Sequence, residues 1–592
     1  MDIERRKFLR ATGAVGAASM LPWSSSSLAR TGFSRATLEE IVELTTLGRT
    51  MVKGKKVSEG TSGAYHRLRW GHGEGHIRRT DLAPAHLKKI EIRRPSLLNL
   101  VHFTDIHIID AQSPARVEFL DRFADPGMGC ESVPFSSAHR PQETLTLQIL
   151  EAMIRQIRKI RRSPITGKPL QLVVCTGDNI DNEQFNELRW FVDAMDGGRK
   201  ISSNSGADTY EGVQSSEWND PEYWHPDPGV DDKYKQRYGF PDYEGLLDDA
   251  LRPFRARGVD LPWYQTFGNH DGLLQGNVGS NPIFDAVAVG SLKPAELLPG
   301  VNPCDAFETF RNNPMALAGA PARMVTADPD RRPVNRLAYI AEMFNTTGRP
   351  KGHGFKQANL TSGLAYWHSD ARPGFRMIGL DTVNPGGYSE GSIGATQLAW
   401  LESRLQEVSS RYLDAAGNEI TGDVDDRLIL LFSHHGIRSL NNPASAPDPV
   451  DPGENDLPRV MGDEVEALVQ RFPNVIAWVS GHAHENFIVP RSAPSGTGGF
   501  WDIGTAAHID WSCQSRLIEV LDNRDGTLSI FCTMVDHAGD PTPGPGRGPV
   551  NLASIARELS ANDYQFGFGS KGRGRPEDRN VELLINAPFD VS

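Results

Sequence analysis

Short apolar runs recur along this chain, and each closes on small or polar residues. Residues 97–105 read as a buried strand with a polar end. Residues 170–175 lead into Gly177-Asp178, and residues 261–267 into Gly268-Asn269-His270-Asp271. Residues 427–432 lead into His434-His435, and residues 475–479 into Gly481-His482-Ala483-His484. Between these runs, residues 144–160, 395–408 and 463–472 carry apolar positions at helical spacing. Strands alternating with helices predict an α/β sandwich. Polar groups at strand ends sit where open α/β sheets place their ligands. Alternating segments at 499–503, 516–521 and 528–535 predict strands closing a second sheet, and residues 581–585 an edge strand.

Three stretches interrupt this pattern, at about 110–140, 198–245 and 275–350. They are rich in Pro, Gly, Asn, Asp and Ser and read as long insertions that rim a site. The chain divides into a leader (1–29), an N-terminal extension (30–90), a main domain carrying the insertions (91–540) and a C-terminal extension (541–592). Of 592 residues, 62 are Lys or Arg and 75 are Asp or Glu, giving a net charge of −13. That balance speaks against a nucleic-acid partner, which calls for a basic stripe. A small phosphorylated substrate stays compatible, because a metal reverses the local field.

The leader carries Arg5-Arg6-Lys7-Phe8-Leu9-Arg10, then an apolar stretch from Ala11 to Leu21 and the small residues Ser27-Leu28-Ala29. It resembles a twin-arginine export signal cleaved after Ala29. Its apolar stretch is far short of the roughly 20 residues that span a bilayer, so no stable membrane insertion is expected. The implied partner is the twin-arginine machinery, and the implied location is extracellular, cell wall or periplasmic. Five cysteines show no metal-binding spacing. Cys130 with Cys304 is one pairing open to them outside the cytoplasm, and Cys175 reads as a buried apolar residue.

Asp105-x-His107, Gly177-Asp178, Gly268-Asn269-His270-Asp271, His434 and Gly481-His482-x-His484 each follow a strand. Each is weak alone; the ordered set is not. Carboxylate, amide and imidazole donors without thiolate suit Mn, Fe or Zn. Two such cations a few ångströms apart can hold a phosphate and acidify a water, with Asp178 the natural bridge. The glycines before Asp178 and Asn269 would let the backbone turn off its strand.

This ordered set resembles the calcineurin-like metallophosphoesterase superfamily, over residues from about 97 to 535. The resemblance implies a four-layer αββα sandwich of two mixed β-sheets with long loop insertions. It also implies hydrolysis of phosphate mono- or diesters by a metal-bridging hydroxide at a centre of two divalent or mixed-valence ions. Carried over, Asp105, His107, Asp178 and His484 bind one metal. Asp178, Asn269, His434 and His482 bind the other. His270 acts as acid or transition-state donor, with Asp271 orienting its ring. Asp181 stands where purple acid phosphatases carry a tyrosine, so their colour is not expected; it reads either as a supporting residue at the first metal or as a turn cap. The leader and long insertions together resemble an actinobacterial twin-arginine-exported group. A catalytically silent metal- or phosphate-binding protein on the same fold is the alternative. His435 and His508 read as supporting and structural histidines, and His72 with His76 as a turn.

Overall fold

A computed structural model describes residues 35–83, 94–125, 127–130, 136–444, 458–494 and 498–591. The export signal expected at 1–29 lies outside the described residues.

Two mixed β-sheets form the centre. The strands are β1 (Ile77–Leu82), β2 (Ser96–Phe103), β3 (Leu172–Thr176), β4 (Trp263–Thr266), β5 (Trp367–Arg372), β6 (Phe375–Gly379), β7 (Leu428–Phe432), β8 (Val475–Ser480), β9 (Phe487–Ser492), β10 (Gly499–Gly504), β11 (Gln514–Asp522), β12 (Thr527–Asp536) and β13 (Val581–Asn586). One sheet runs β1-β13-β12-β11-β2-β3-β4 and the other β5-β6-β7-β8-β10-β9. Strands β2, β3 and β4 are parallel neighbours in the first, as are β6, β7, β8 and β10 in the second. The expected second sheet is divided: β10 joins the six-stranded sheet, while β11 and β12 extend the seven-stranded one. The segment expected as an edge strand, β13, pairs on both sides, with β12 and β1. The edge falls to β1.

Helices cover both outer faces. Along β7, Ile429 and Leu431 point outward to α3 (Ala395–Gln406) and α4 (Gly462–Val469), meeting Leu401, Leu405 and Val465. Leu428, Leu430 and Phe432, on the opposite face by the strand's two-residue period, belong to the main core shared with the other sheet. On the far side, α1 (Thr146–Ile160) and α2 (Phe185–Asp196) bury Leu150, Met153, Ile157, Leu188 and Phe191 against that core. Helix α5 (Pro549–Asn562) lies over α1. The result is four layers, αββα.

The insertions are folded rather than loose. Phe119 and Leu120 pack with Phe284, Phe307 and Phe310, joining the first insertion to the third. Trp224, Tyr234 and Phe240 of the second insertion pack on α5 residues such as Leu552 and Leu559. Cys130 and Cys304 form a disulfide with Cα atoms 5.1 Å apart, and Cys175, Cys513 and Cys532 are free and buried. No helix among the described residues is long and apolar enough to cross a membrane.

Candidate metal centre

The strands that precede the motifs end together. Phe103 pairs with Cys175, Thr176 with Thr266, and Phe432 with Val479, so the carboxyl ends of β2, β3, β4, β7 and β8 share one rim. Backbone bonds stitch the segments beyond it: Asp105 N donates to Gly177 O at 3.3 Å, His107 N to Asp178 O at 2.9 Å, and Gly481 N to His434 O at 2.9 Å.

Close approach between these segments depends on glycine. A Cβ on Gly481 would stand 1.9 Å from Thr104 Oγ1 and 2.5 Å from Asp105 Oδ2. One on Gly268 would meet Asp178 N at 2.2 Å and Oδ1 at 2.3 Å. Of the two glycines expected to turn the chain, Gly177 does so, with φ +80°. Gly268 has an ordinary φ of −110° and serves close approach instead.

Six of the seven expected ligands fall into groups of side chains close enough to share an ion. These are Asp105, His107 and His484; Asp105, Asp178 and His434; and His434 and His482 together with His435. Asp178 lies between them: its Oδ2 is 3.1 Å from His434 Nε2 and 3.6 Å from His107 Nε2, while its Oδ1 accepts the His270 N–H at 2.8 Å. Asn269, the seventh, is buried on the adjoining turn, and its Oδ1 has no hydrogen-bond partner. Asp105, His107, Asp178, His482 and His484 all take positive φ, between 48° and 65°.

The ring nitrogens give the test of fit. His107 Nδ1 faces Asp181 Oδ1 at 2.9 Å, His484 Nδ1 faces Asp510 Oδ2 at 2.6 Å, and His434 Nδ1 faces the Thr176 carbonyl at 2.9 Å. Acceptors there fix the hydrogen on Nδ1, so each neutral ring presents a bare Nε2. The Nε2 atoms of His107 and His484 stand 3.3 Å apart. His434 Nε2 is buried near Asp178 without the alignment of a hydrogen bond. Lone pairs turned on one another and on carboxylates need positive charge among them. Protons are one source: burial opposes protonation, but Asp178 and Asp105 hold His434 up at about 9, and Asp105 and Asp510 hold His484 at about 10. A cation answers the same field and the same lone pairs, and the oxygen and nitrogen donors fit Mn, Fe or Zn.

His270 borders the group, with its ring centroid 4.6 Å from that of His107. Its Nδ1 donates to the Asp181 carbonyl at 2.7 Å. Burial lowers its pKa, but Asp178 and Asp181 outweigh that and raise it. The orienting role expected of Asp271 therefore belongs to Asp181. Asp271 sits at the third position of the one-turn helix Asn269–Gly272 and looks back into the backbone. Its Oδ1 accepts the amides of Asn179 and Ile180 at 3.0 and 3.1 Å, and its Oδ2 that of Gly268 at 2.8 Å.

Of the two roles open to Asp181, its geometry favours support of the first metal's ligand: it bonds His107 and forms a buried ion pair with Arg116. His435 has both ring nitrogens engaged, by Thr382 Oγ1 and the Ser389 carbonyl at 2.8 Å each, and burial next to His434 lowers its pKa to about 3. His508 bonds Ser515 Oγ at 2.7 Å, and His76 bonds Thr533 Oγ1 at 2.9 Å. Asp510 and Arg116 escaped the sequence reading, since each acts at a distance and lacks a local spacing signature; the strand-to-loop position of Asp510 after β10 was the one signal available.

No family model matches the chain, and no curated protein matches it. Among solved structures it is similar to a dimetal phosphatase from Danio rerio, at 12% identity and TM-score 0.32, over 75% of this chain and 100% of that one. It is also similar to a purple acid phosphatase from yellow lupin (Lupinus luteus) seeds, at 11% identity and TM-score 0.27, over 79% of this chain and 56% of that one.

Proposed function

We propose that the protein is an exported hydrolase of phosphate mono- or diesters that works with two metal ions. The observation that carries this reading is the convergence of bare Nε2 atoms and carboxylates on one place, with the unpartnered Asn269 oxygen buried on the adjoining turn. Asp105, His107, Asp178 and His484 would hold one ion, and Asp178, Asn269, His434 and His482 the other. When bound, the pair supplies Lewis acidity toward a phosphoryl group and toward water. The chain's own residues do the rest. Asp181 and Asp510 fix the rings of His107 and His484, so that those ligands need no reorientation. The Asp181 carbonyl holds His270 by Nδ1, which leaves Nε2 to donate a proton to a phosphoryl or leaving oxygen.

Export is supported by the paired arginines of the leader and by the Cys130–Cys304 disulfide, a bond typical of oxidising compartments. The test is an assay of aryl and bis-aryl phosphates with the protein reconstituted separately with Mn, Fe and Zn. Turnover with at least one metal is expected. Two bound metals without turnover of any ester would instead indicate a binding protein.

A further inference from the structure

The first and third insertions meet beside His270 and leave a cavity there. Leu120, Leu274, Phe284, Phe307, Phe310 and Leu317 form much of its wall, around about 610 Å³ of atom-free space, part of it open to solvent. Among the described residues no Asp, Glu, Lys or Arg lines it; its polar residues are Ser137, His270, Gln275 and Asn277. Gln275 is engaged by the backbone at both ends of its amide: Oε1 accepts the Val117 N–H at 2.5 Å and Nε2 donates to Ala138 O at 3.3 Å. Asn277 Nδ2 donates to Gln275 O at 2.6 Å, while its Oδ1 is buried without a hydrogen-bond partner.

The cavity is a built feature that reaches the candidate metal centre at His270. Gly276, at φ +70°, presses the start of the third insertion onto the site: a Cβ there would stand 2.3 Å from His270 Cδ2 and 2.4 Å from Asn269 Nδ2. Gln275 ties that insertion to the first through Val117 and Ala138, and the Cys130–Cys304 disulfide ties them again. A wall of this composition rewards hydrocarbon and penalises hydroxyl or charged groups, which would lose water and find few free partners.

We propose that this cavity takes the organic group of the substrate, and that this group is apolar: an alkyl or aryl chain on phosphate rather than a sugar or nucleoside. The inference rests on the phosphoesterase reading. In the step it serves, the oxygen of a water bonds to phosphorus as the bond from phosphorus to the ester oxygen breaks. The alcohol leaves with the proton from His270, and the proton the water gives up passes to solvent, from which His270 is reprotonated.

The experiment compares n-alkyl phosphates from ethyl to hexyl on the full metal-loaded chain, because their leaving alcohols differ little in acidity. The value of kcat/KM is expected to rise about fourfold per methylene. Calorimetry with ethyl- and hexylphosphonate reads the same preference without turnover. Val278→Trp, which narrows the cavity, and Phe310→Ala, which removes part of its wall, should both shrink the hexyl-to-ethyl ratio, with metal content and circular dichroism confirming the fold. A wild-type series flat in rate and affinity overturns the proposal, as does an unchanged ratio in folded Val278→Trp. A preference for hexylphosphonate without hydrolysis of any ester would sink the hydrolase reading and leave the cavity's assignment standing. Should either variant misfold, the wild-type series decides alone.

Discussion

Asp105, His107, Asp178, His482 and His484 are five of fourteen non-glycine residues with positive φ among those described. Such conformations cost of order 1–3 kcal/mol each and persist where the surroundings enforce them. Here the enforcing contacts are visible: His482 N donates to both carboxylate oxygens of Asp105, at 3.0 and 3.1 Å, and Asp510 holds the far side of His484. Removing the shared donor by Asp178→Asn should abolish turnover and lower metal content, read by elemental analysis and an aryl phosphate assay. Asp510→Asn removes the charge behind His484 and also the partner of the buried Arg140, so it should lower stability and, through His484, weaken metal affinity or activity about 10- to 100-fold, which a metal titration followed by turnover would measure. An effect confined to thermal stability would show that Asp510 has no role in holding the ligand. Asp271 shows where reading single residues fails. Its place beside His270 in sequence suggested a partner for the ring, but the short helix turns its carboxylate onto three backbone amides.

At the level of elements, the strand ends were legible because their signal is local: an apolar run, a glycine, then a donor. The function of each glycine was not, because it depends on what arrives from elsewhere. Gly481 is the sharpest case, since an added methyl group would meet Thr104 and Asp105, just beyond the end of a strand in the other sheet. Gly481→Ala should therefore reduce metal occupancy while the secondary structure, followed by circular dichroism, persists. The insertions hid their order for the same reason. Their aromatic residues lack periodicity and find partners in other insertions or in α5. The disulfide between two of them is checked by thiol counting: the denatured chain should show three reactive thiols without reductant and five with it. Five in both cases would remove the bond and weaken the support for export.

Across the whole molecule, the class of fold and the strand ends that bring six candidate donors together were legible in the sequence, but the boundary of the sheet was not. Residues 581–585 were expected at an edge, yet Ile77–Leu82 pairs with their free side. Pairing between segments so far apart in sequence leaves no trace in either segment's pattern. Burial of neutral histidines also belongs to this scale. His353 is fully buried, stacks on Trp263, and burial lowers its pKa to about 4. The unfolded ring takes a proton below about pH 6.5 while the folded ring stays neutral down to about pH 4. Stability is therefore lost as pH falls through that window and is unaffected above it, by about 2 kcal/mol between pH 7 and pH 5 from this residue. Denaturant titrations at both pH values should give a smaller difference for His353→Gln than for the parent chain.

The central claim is that seven side chains from five strand ends hold two neighbouring ions. Anomalous diffraction from crystals of the metal-loaded protein tests it most directly. Two peaks are expected on either side of Asp178, one against Asp105, His107 and His484 and the other against Asn269, His434 and His482. A fully loaded crystal with no ion at these residues, or with its ions elsewhere, would contradict the account.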